Sequence, residues 1–415
     1  VEIHSSLLAG GFGLSFLPGI LFDRYGPTWI ILLGLLLTVP PYVFLWTASN
    51  NVLFYSRNIW LVAIYFLIAG TGSVFVFTTV LTTNIKNFAP KNRSKIVGLL
   101  GAVYAGSPSI ISVIYYQTLQ QSQASDSFGS AMMLFAMCFG CVCLFYIIFL
   151  RLDTKSIQSG SEEILISSVE DQMSSREMKT FNTFEREEDE VQASVGVSVK
   201  QLFSDKRYWL ILCISGFISV VGTTFRNHLT VITKSVGLSQ FDESIVIIIP
   251  ISDIIACILI GVISDSMRER VPRIYILLLA CVSFTVCPIL AMIWGNIYWV
   301  LCIATVLSGI GTGIFWTIFP AVVSEMFHVN NLGRNWGIAM SLTSLLRWAA
   351  QETFGALYDN NTPKDSIYCE SGIACVRSGL FILVISGVLS LVLSVILIIK
   401  ENKIKCCNPT DQDSL

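Results

Sequence analysis

Apolar runs of close to twenty residues recur along almost the whole of this sequence, and they limit its fold more than any other feature. They are Ile3–Phe22, Thr28–Ala48, Ile59–Ile85, Ile96–Tyr116, Phe128–Leu150, Tyr208–Phe225, Ser244–Ser264, Ile274–Trp294, Ile297–Phe319, Trp336–Leu357 and Ser378–Ile399. About twenty apolar residues are needed for a helix to cross about 30 Å of hydrocarbon. A backbone in lipid must satisfy its own hydrogen bonds, so runs of this length read as helices. Charged residues make up 13% of the chain, against about 25% in soluble domains. The expected class is an all-α polytopic membrane protein with eleven spans.

Residues 151–207 interrupt the runs with a Ser-, Glu- and Asp-rich stretch poor in aromatics. Such a composition buries too little apolar surface to fold, which predicts a mostly disordered acidic linker. The expected domains are a bundle over 1–150, the linker, a second bundle over 208–399 and a tail over 400–415. A hairpin sequence, G-I-L-F-D-R-Y-G-P (Gly19–Pro27), closes the first run, and a weaker copy, G-V-I-S-D (Gly261–Asp265), closes the second run after the linker. Glycines permit a tight turn and close helix approach, and the charges must lie outside lipid. The offset between the copies predicts one more helix ahead of Val1 and a six-plus-six repeat. Gly19, Asp23, Arg24, Gly26 and Asp265 are the expected conformational latch.

The positive-inside rule sets the expected orientation. Arg24, Lys86, Lys91, Arg93, Lys95, Arg268, Arg270, Arg273, Arg334 and the tail lysines thread to one side, which predicts a cytoplasmic linker and C-terminus. Arg57, Arg226, Lys234, Lys364 and Arg377 thread to the other. The membrane itself, plasma or organellar, and the oligomeric state are left open.

Several chemistries find no support. There is no G-x-x-x-x-G-K-[ST] loop for ATP, and no basic stripe for nucleic acid. His4, His228 and His328 form no H-E-x-x-H pair. Cys138, Cys141 and Cys143 lie inside an apolar run, where small packing residues are the plainer reading than a metal cluster. No enzyme activity, cofactor or metal is expected.

Charge inside a span is costly and points to function. Asp253 and Arg347 each sit near the middle of a span of the second half, and Glu352 lies beyond Arg347. They are the expected substrate or proton-coupling residues, with a static ion pair between helices as the plainer alternative. Pro250 just before Asp253 suggests a broken helix. In the last loop on the far side, Cys369 and Cys375 are expected to form a disulfide, and Asn360 begins an N-N-T glycosylation sequon. Cys406 and Cys407 follow lysines in the tail and are candidate palmitoylation sites.

With these residues in view the chain resembles major facilitator superfamily transporters. G-I-L-F-D-R-Y-G-P is similar to the loop between the second and third helices of that superfamily. N-F-A-P-K-N-R-S-K-I-V-G (Asn87–Gly98), S-E-M-F (Ser324–Phe327), G-A-L-Y-D (Gly355–Asp359) and C-E-S-G-I-A-C (Cys369–Cys375) resemble the nodulin-like branch, with animal monocarboxylate transporters as the nearest rival. The resemblance implies two six-helix bundles around a central cavity and transport by alternating access. It also implies that the helices carrying Asp253 and Arg347 line that cavity. Gly101 stands where such relatives often have a lysine, and an arginine they tend to have near Cys257 is absent. The expected function is secondary active transport of a small organic solute, anionic if Arg347 holds it and proton-coupled if Asp253 titrates. A non-transporting sensor or scaffold acting through the linker is the alternative.

Overall fold

The computed structural model describes residues 13–115, 127–152, 199–268, 270–327, 329–363, 369 and 371–407. Among these the chain is helical. The first half contributes α1 (Phe16–Tyr25), α2 (Pro27–Asn50), α3 (Ile59–Asn87), α4 (Arg93–Tyr115) and α5 (Ser127–Phe149). The second contributes α6 (Lys206–Ser235), α7 (Ile248–Ser266), α8 (Arg273–Trp294), α9 (Tyr298–Met326), α10 (Leu332–Asn361) and α11 (Arg377–Cys407). Nearly all of the linker, His4 and His328 fall outside the described residues, as do the side chains of Cys406 and Cys407.

Among the described residues, eight helical segments are long and apolar enough to cross a membrane. The helices α1, α4 and α10 are not among them. The described part of α1 is 10 residues long, and all three helices meet the other half: α10 lies on α1, and α4 lies on α7 and α9. Within the first half α2 packs against α3 and α5, and within the second α8 packs against α9 and α11. The larger apolar core belongs to the second half, where Tyr208, Phe225, Phe284, Trp336 and Phe354 are fully buried.

The internal repeat is sharpest in α3 and α9. Both run for 29 residues, and both carry a G-x-G (Gly70–Gly72 and Gly309–Gly311) at the same distance from their first residue. Phe77 and Trp316 also share one position in this alignment, as do Lys86 and Glu325.

One boundary differs from the sequence reading. The sixth run was expected to end at Phe225 with Arg226 outside it, yet α6 continues to Ser235. The helix tolerates the charge because a carboxylate of α7 neutralises it. Pro250 does mark a break, three residues upstream at Ile247, between a short helix (Asp242–Val246) and α7. Proline has no N–H to give the carbonyl of Val246, so the chain turns there.

Candidate functional site

Asp253 projects from the first turns of α7 and is 3% exposed. Arg226 Nη2 donates to its Oδ2 at 3.1 Å, and the Cys257 thiol, one turn along, donates to its Oδ1 at 3.5 Å. The cation at Asp253 is therefore supplied by α6, where the static-ion-pair alternative of the sequence reading had Arg347. Arg347 is 5% exposed at the middle of α10. Gln351 sits four residues further on the same helix face, and its Oε1 accepts from Asn227 Nδ2 at 3.1 Å. Two neighbouring residues of α6, Arg226 and Asn227, thus reach α7 and α10 respectively. Glu352 is half-buried and points off the face shared by Arg347 and Gln351.

Tyr104 of α4 brings the first half to this cluster. Its phenol lies within the fields of Arg226, Arg347 and Asp253. It stands between the halves and is 48% exposed. Beneath it lies a pocket lined by Phe77, Leu81, Val97, Leu100, Gly101, Tyr104 and Trp316. Phe77 and Trp316 meet edge to face at 5.9 Å, and Tyr104 is 5.4 Å from Phe77 and 6.3 Å from Trp316. Their shared place in the repeat is a signal that could have singled out Phe77 and Trp316.

The predicted latch residues fall on one face in two matching sets. Asp23 Oδ2 accepts from the backbone N–H of Arg334 at 2.8 Å, in the first turn of α10. Asp265 accepts from the N–H groups of Ser94 (3.2 Å) and Lys95 (2.8 Å), in the first turn of α4. Each carboxylate caps a helix of the opposite half, where unpaired N–H groups and the positive end of the helix dipole favour an anion. Lys86 donates to Asp23 at 2.9 Å and to the carbonyl of Asn330 at 2.9 Å. Glu325 occupies the place of Lys86 in the repeat, so the cation for Asp265 comes instead from Arg273, at 2.6 Å, and Arg273 also bonds Glu325.

Glycines let the backbones meet at these caps. A Cβ on Gly19 would overlap the carbonyl of Gly333, and one on Gly261 would lie 2.7 Å from that of Ser94. Gly26 serves a different need: its φ of 77° makes the turn between α1 and α2. Arg24 stands over the ring of Tyr25 at 5.4 Å, and the cation on Asp23 is Lys86.

On the opposite face a disulfide joins Cys369 to Cys375. Tyr358 Oη accepts from the Cys369 N–H at 3.1 Å, and Asn361 Nδ2 donates to the Cys375 carbonyl at 3.1 Å, so the loop is tied to the end of α10. Asn360 is exposed beside it.

A model of the Major Facilitator Superfamily matches residues 4–350. The chain belongs to that superfamily. Solved structures share the fold of this facilitator at low sequence identity. The proton:xylose symporter XylE aligns with a TM-score of 0.66 at 14% identity, over 95% of this chain and 84% of its own. The fucose:proton symporter FucP of E. coli gives 0.62 at 14% identity, over 95% and 90%. The human organic anion transporter MFSD10 (TETRAN) gives 0.59 at 15% identity, over 94% and 83%. A curated relative, the "Probable transporter MCH1" of Yarrowia lipolytica (strain CLIB 122 / E 150), is 25% identical over 162 residues, which is 36% of this facilitator. That match spans 33% of the relative's own length.

Proposed function

We propose that this facilitator is a secondary active transporter of a small organic anion, works by alternating access, and couples transport to protons. The observation that carries the reading is the Arg226–Asp253 pair, its carboxylate buried, with Arg347 and Tyr104 of the other half in the same cluster. Arginine keeps its charge through the cycle and presents a fork suited to a carboxylate. Asp253 can exchange a proton: when neutral it releases Arg226 to the solute, and when ionised it takes the guanidinium back.

The two caps on the Asp23 face support a state closed on that side. With the linker and tail in the cytoplasm, that state is outward-facing, and Asp23 and Asp265 hold it. Inward opening breaks both caps together, and the binding energy that differs between the two states drives the exchange. The loop motifs support placement on the nodulin-like branch, the two bundles and linker as its domains, glycosylation at Asn360 and palmitoylation at Cys406 and Cys407. The protein acts as a carrier and not as an enzyme.

The test is uptake into proteoliposomes holding the full-length protein, with and without an imposed pH gradient, across carboxylates, sugars and amino acids. Saturable carboxylate uptake that an inward proton gradient accelerates is expected. Sugar uptake alone, or none at all, would sink this reading.

A further inference from the structure

One positive charge beside the Asp265 cap has no carboxylate of its own. At the start of α4, against the ends of α7 and α9, three guanidinium groups (Arg93, Arg268 and Arg273) share two carboxylates, Asp265 and Glu325, among the described residues. Both carboxylates are engaged. Asp265 accepts from Arg273 and from the N–H groups of Ser94 and Lys95. Glu325 accepts from Arg273, and Arg268 Nε approaches it at 3.5 Å. Arg273 serves both and also donates from Nε to Ser264 Oγ at 3.3 Å.

Arg93 is the group that remains. It is the first residue of α4 and is 9% exposed, and its Nε is buried with no hydrogen-bond partner among the described residues. It lies within the fields of Glu325, Arg273 and Arg268, so two like charges face it and the one carboxylate in reach is already held by both. Burying a charge without a partner is unfavourable, and an unmade donor adds to the penalty. The arrangement therefore suits an acceptor that arrives from outside the chain.

The directions of the donors narrow its chemistry. A carboxylate has two oxygens in one plane and would repeat what Glu325 does. A phosphate group carries a charge of about −1.5 to −2 and three strong acceptor oxygens. It can take Arg93 Nε from one side and Arg268, whose side chain is 39% exposed, from the other. Guanidinium forks match phosphate geometry.

We infer that Arg93 and Arg268 form a binding site for a phosphate group, soluble or on a lipid headgroup, at the seam between the halves beside the Asp265 cap. Arg93 belongs to the first half and Arg268 to the second, so a bound phosphate joins them only while this face is closed and favours that state. The action on the closed state rests on the carrier reading above; the binding does not.

The test uses full-length protein in phosphatidylcholine nanodiscs, spin-labelled across the Asp23 face, titrated with potassium phosphate against potassium chloride of equal ionic strength. A second set of discs holds nine parts phosphatidylcholine to one part phosphatidylinositol 4-phosphate. A saturable rise in melting temperature and a shift towards the closed-state distance are expected, with phosphate if the group is soluble and in the second discs if it is a headgroup. Arg93→Gln should weaken the response at least about tenfold, whereas Lys91→Gln, an exposed site that loses the same charge, should leave it unchanged. If Arg93→Gln does not fold, Arg268→Gln should weaken it likewise. A response equal in chloride, unchanged in the arginine variants or absent from both sets of discs would overturn the site. A raised melt that the arginine variants lose, with no change in distance, would keep the site and overturn its action on the closed state. Neither readout involves transport, so a failed uptake test leaves this result separate.

Discussion

Arg226 and Asp253 are 27 residues apart in sequence, on different helices, and joined by a 3.1 Å ion pair whose carboxylate is 5% exposed and whose guanidinium is 38% exposed. The asymmetry matters for mechanism. Arg226 is the accessible partner and can exchange Asp253 for a solute, whereas Asp253 is held in the protein and depends on Arg226 for its charge.

Removing one member should therefore cost more than removing both. Arg226→Ala strands a buried carboxylate and should destabilise the detergent-solubilised protein by about 3 kcal/mol. Arg226→Ala combined with Asp253→Asn should recover most of that stability without recovering transport. Thermal melts and uptake assays on the single and double variants measure the two effects separately.

Asp253→Asn should flatten the pH dependence of uptake, since the amide cannot release a proton. Uptake and its pH profile, recorded between pH 5 and pH 8, decide this; an unchanged profile would remove Asp253 as the proton carrier.

Arg347→Ala should abolish saturable uptake while membrane insertion and the melt of the purified protein stay intact. Arg347→Lys should retain the charge and still lose most activity, because an ammonium lacks the planar fork. Wild-type uptake in either variant would exclude the residue from the binding site.

Asp23→Ala removes one cross-half cap, worth about 1 kcal/mol, and should shift the population away from the closed state about fivefold; Asp265→Ala also strands the buried Arg273 guanidinium and should shift it further. The shift is read from spin-label distances across the Asp23 face. Gly19→Val should move the same distances further, because its side chain would overlap the Gly333 carbonyl.

Asp205 starts α6 and accepts from the Arg207 N–H at 2.8 Å, with the guanidinium folded onto it. Partial burial opposes its charge, but the hydrogen bonds and charge of Arg207 outweigh that and hold the carboxyl below its ordinary range. Its contribution is then fully present above about pH 4, the carboxylate's unfolded value, and is lost as pH falls through the lower folded value. Asp205→Ala should cost about 1 kcal/mol at neutral pH. The difference from wild type should vanish in strongly acidic melts.

Much of this molecule could be read from residues alone. The lengths of the apolar runs dictated membrane helices, because hydrocarbon leaves a backbone few other ways to satisfy its hydrogen bonds. The G-x-x-x-D copies located the repeat and the face on which the caps form, and charge within spans singled out Asp253 and Arg347. Tertiary structure decided who meets whom. Arg226 looked like the end of a run because hydropathy counts a charge without its partner, and the partner is on the next long helix. The donors that Asp23 and Asp265 meet across the halves are backbone N–H groups, which no residue type announces. Tyr104, Phe77 and Trp316 became a pocket only when two halves brought them together, since each alone reads as packing. Sequence fixes what each residue can offer; the packed halves determine which offers are met inside the protein and which remain for a solute.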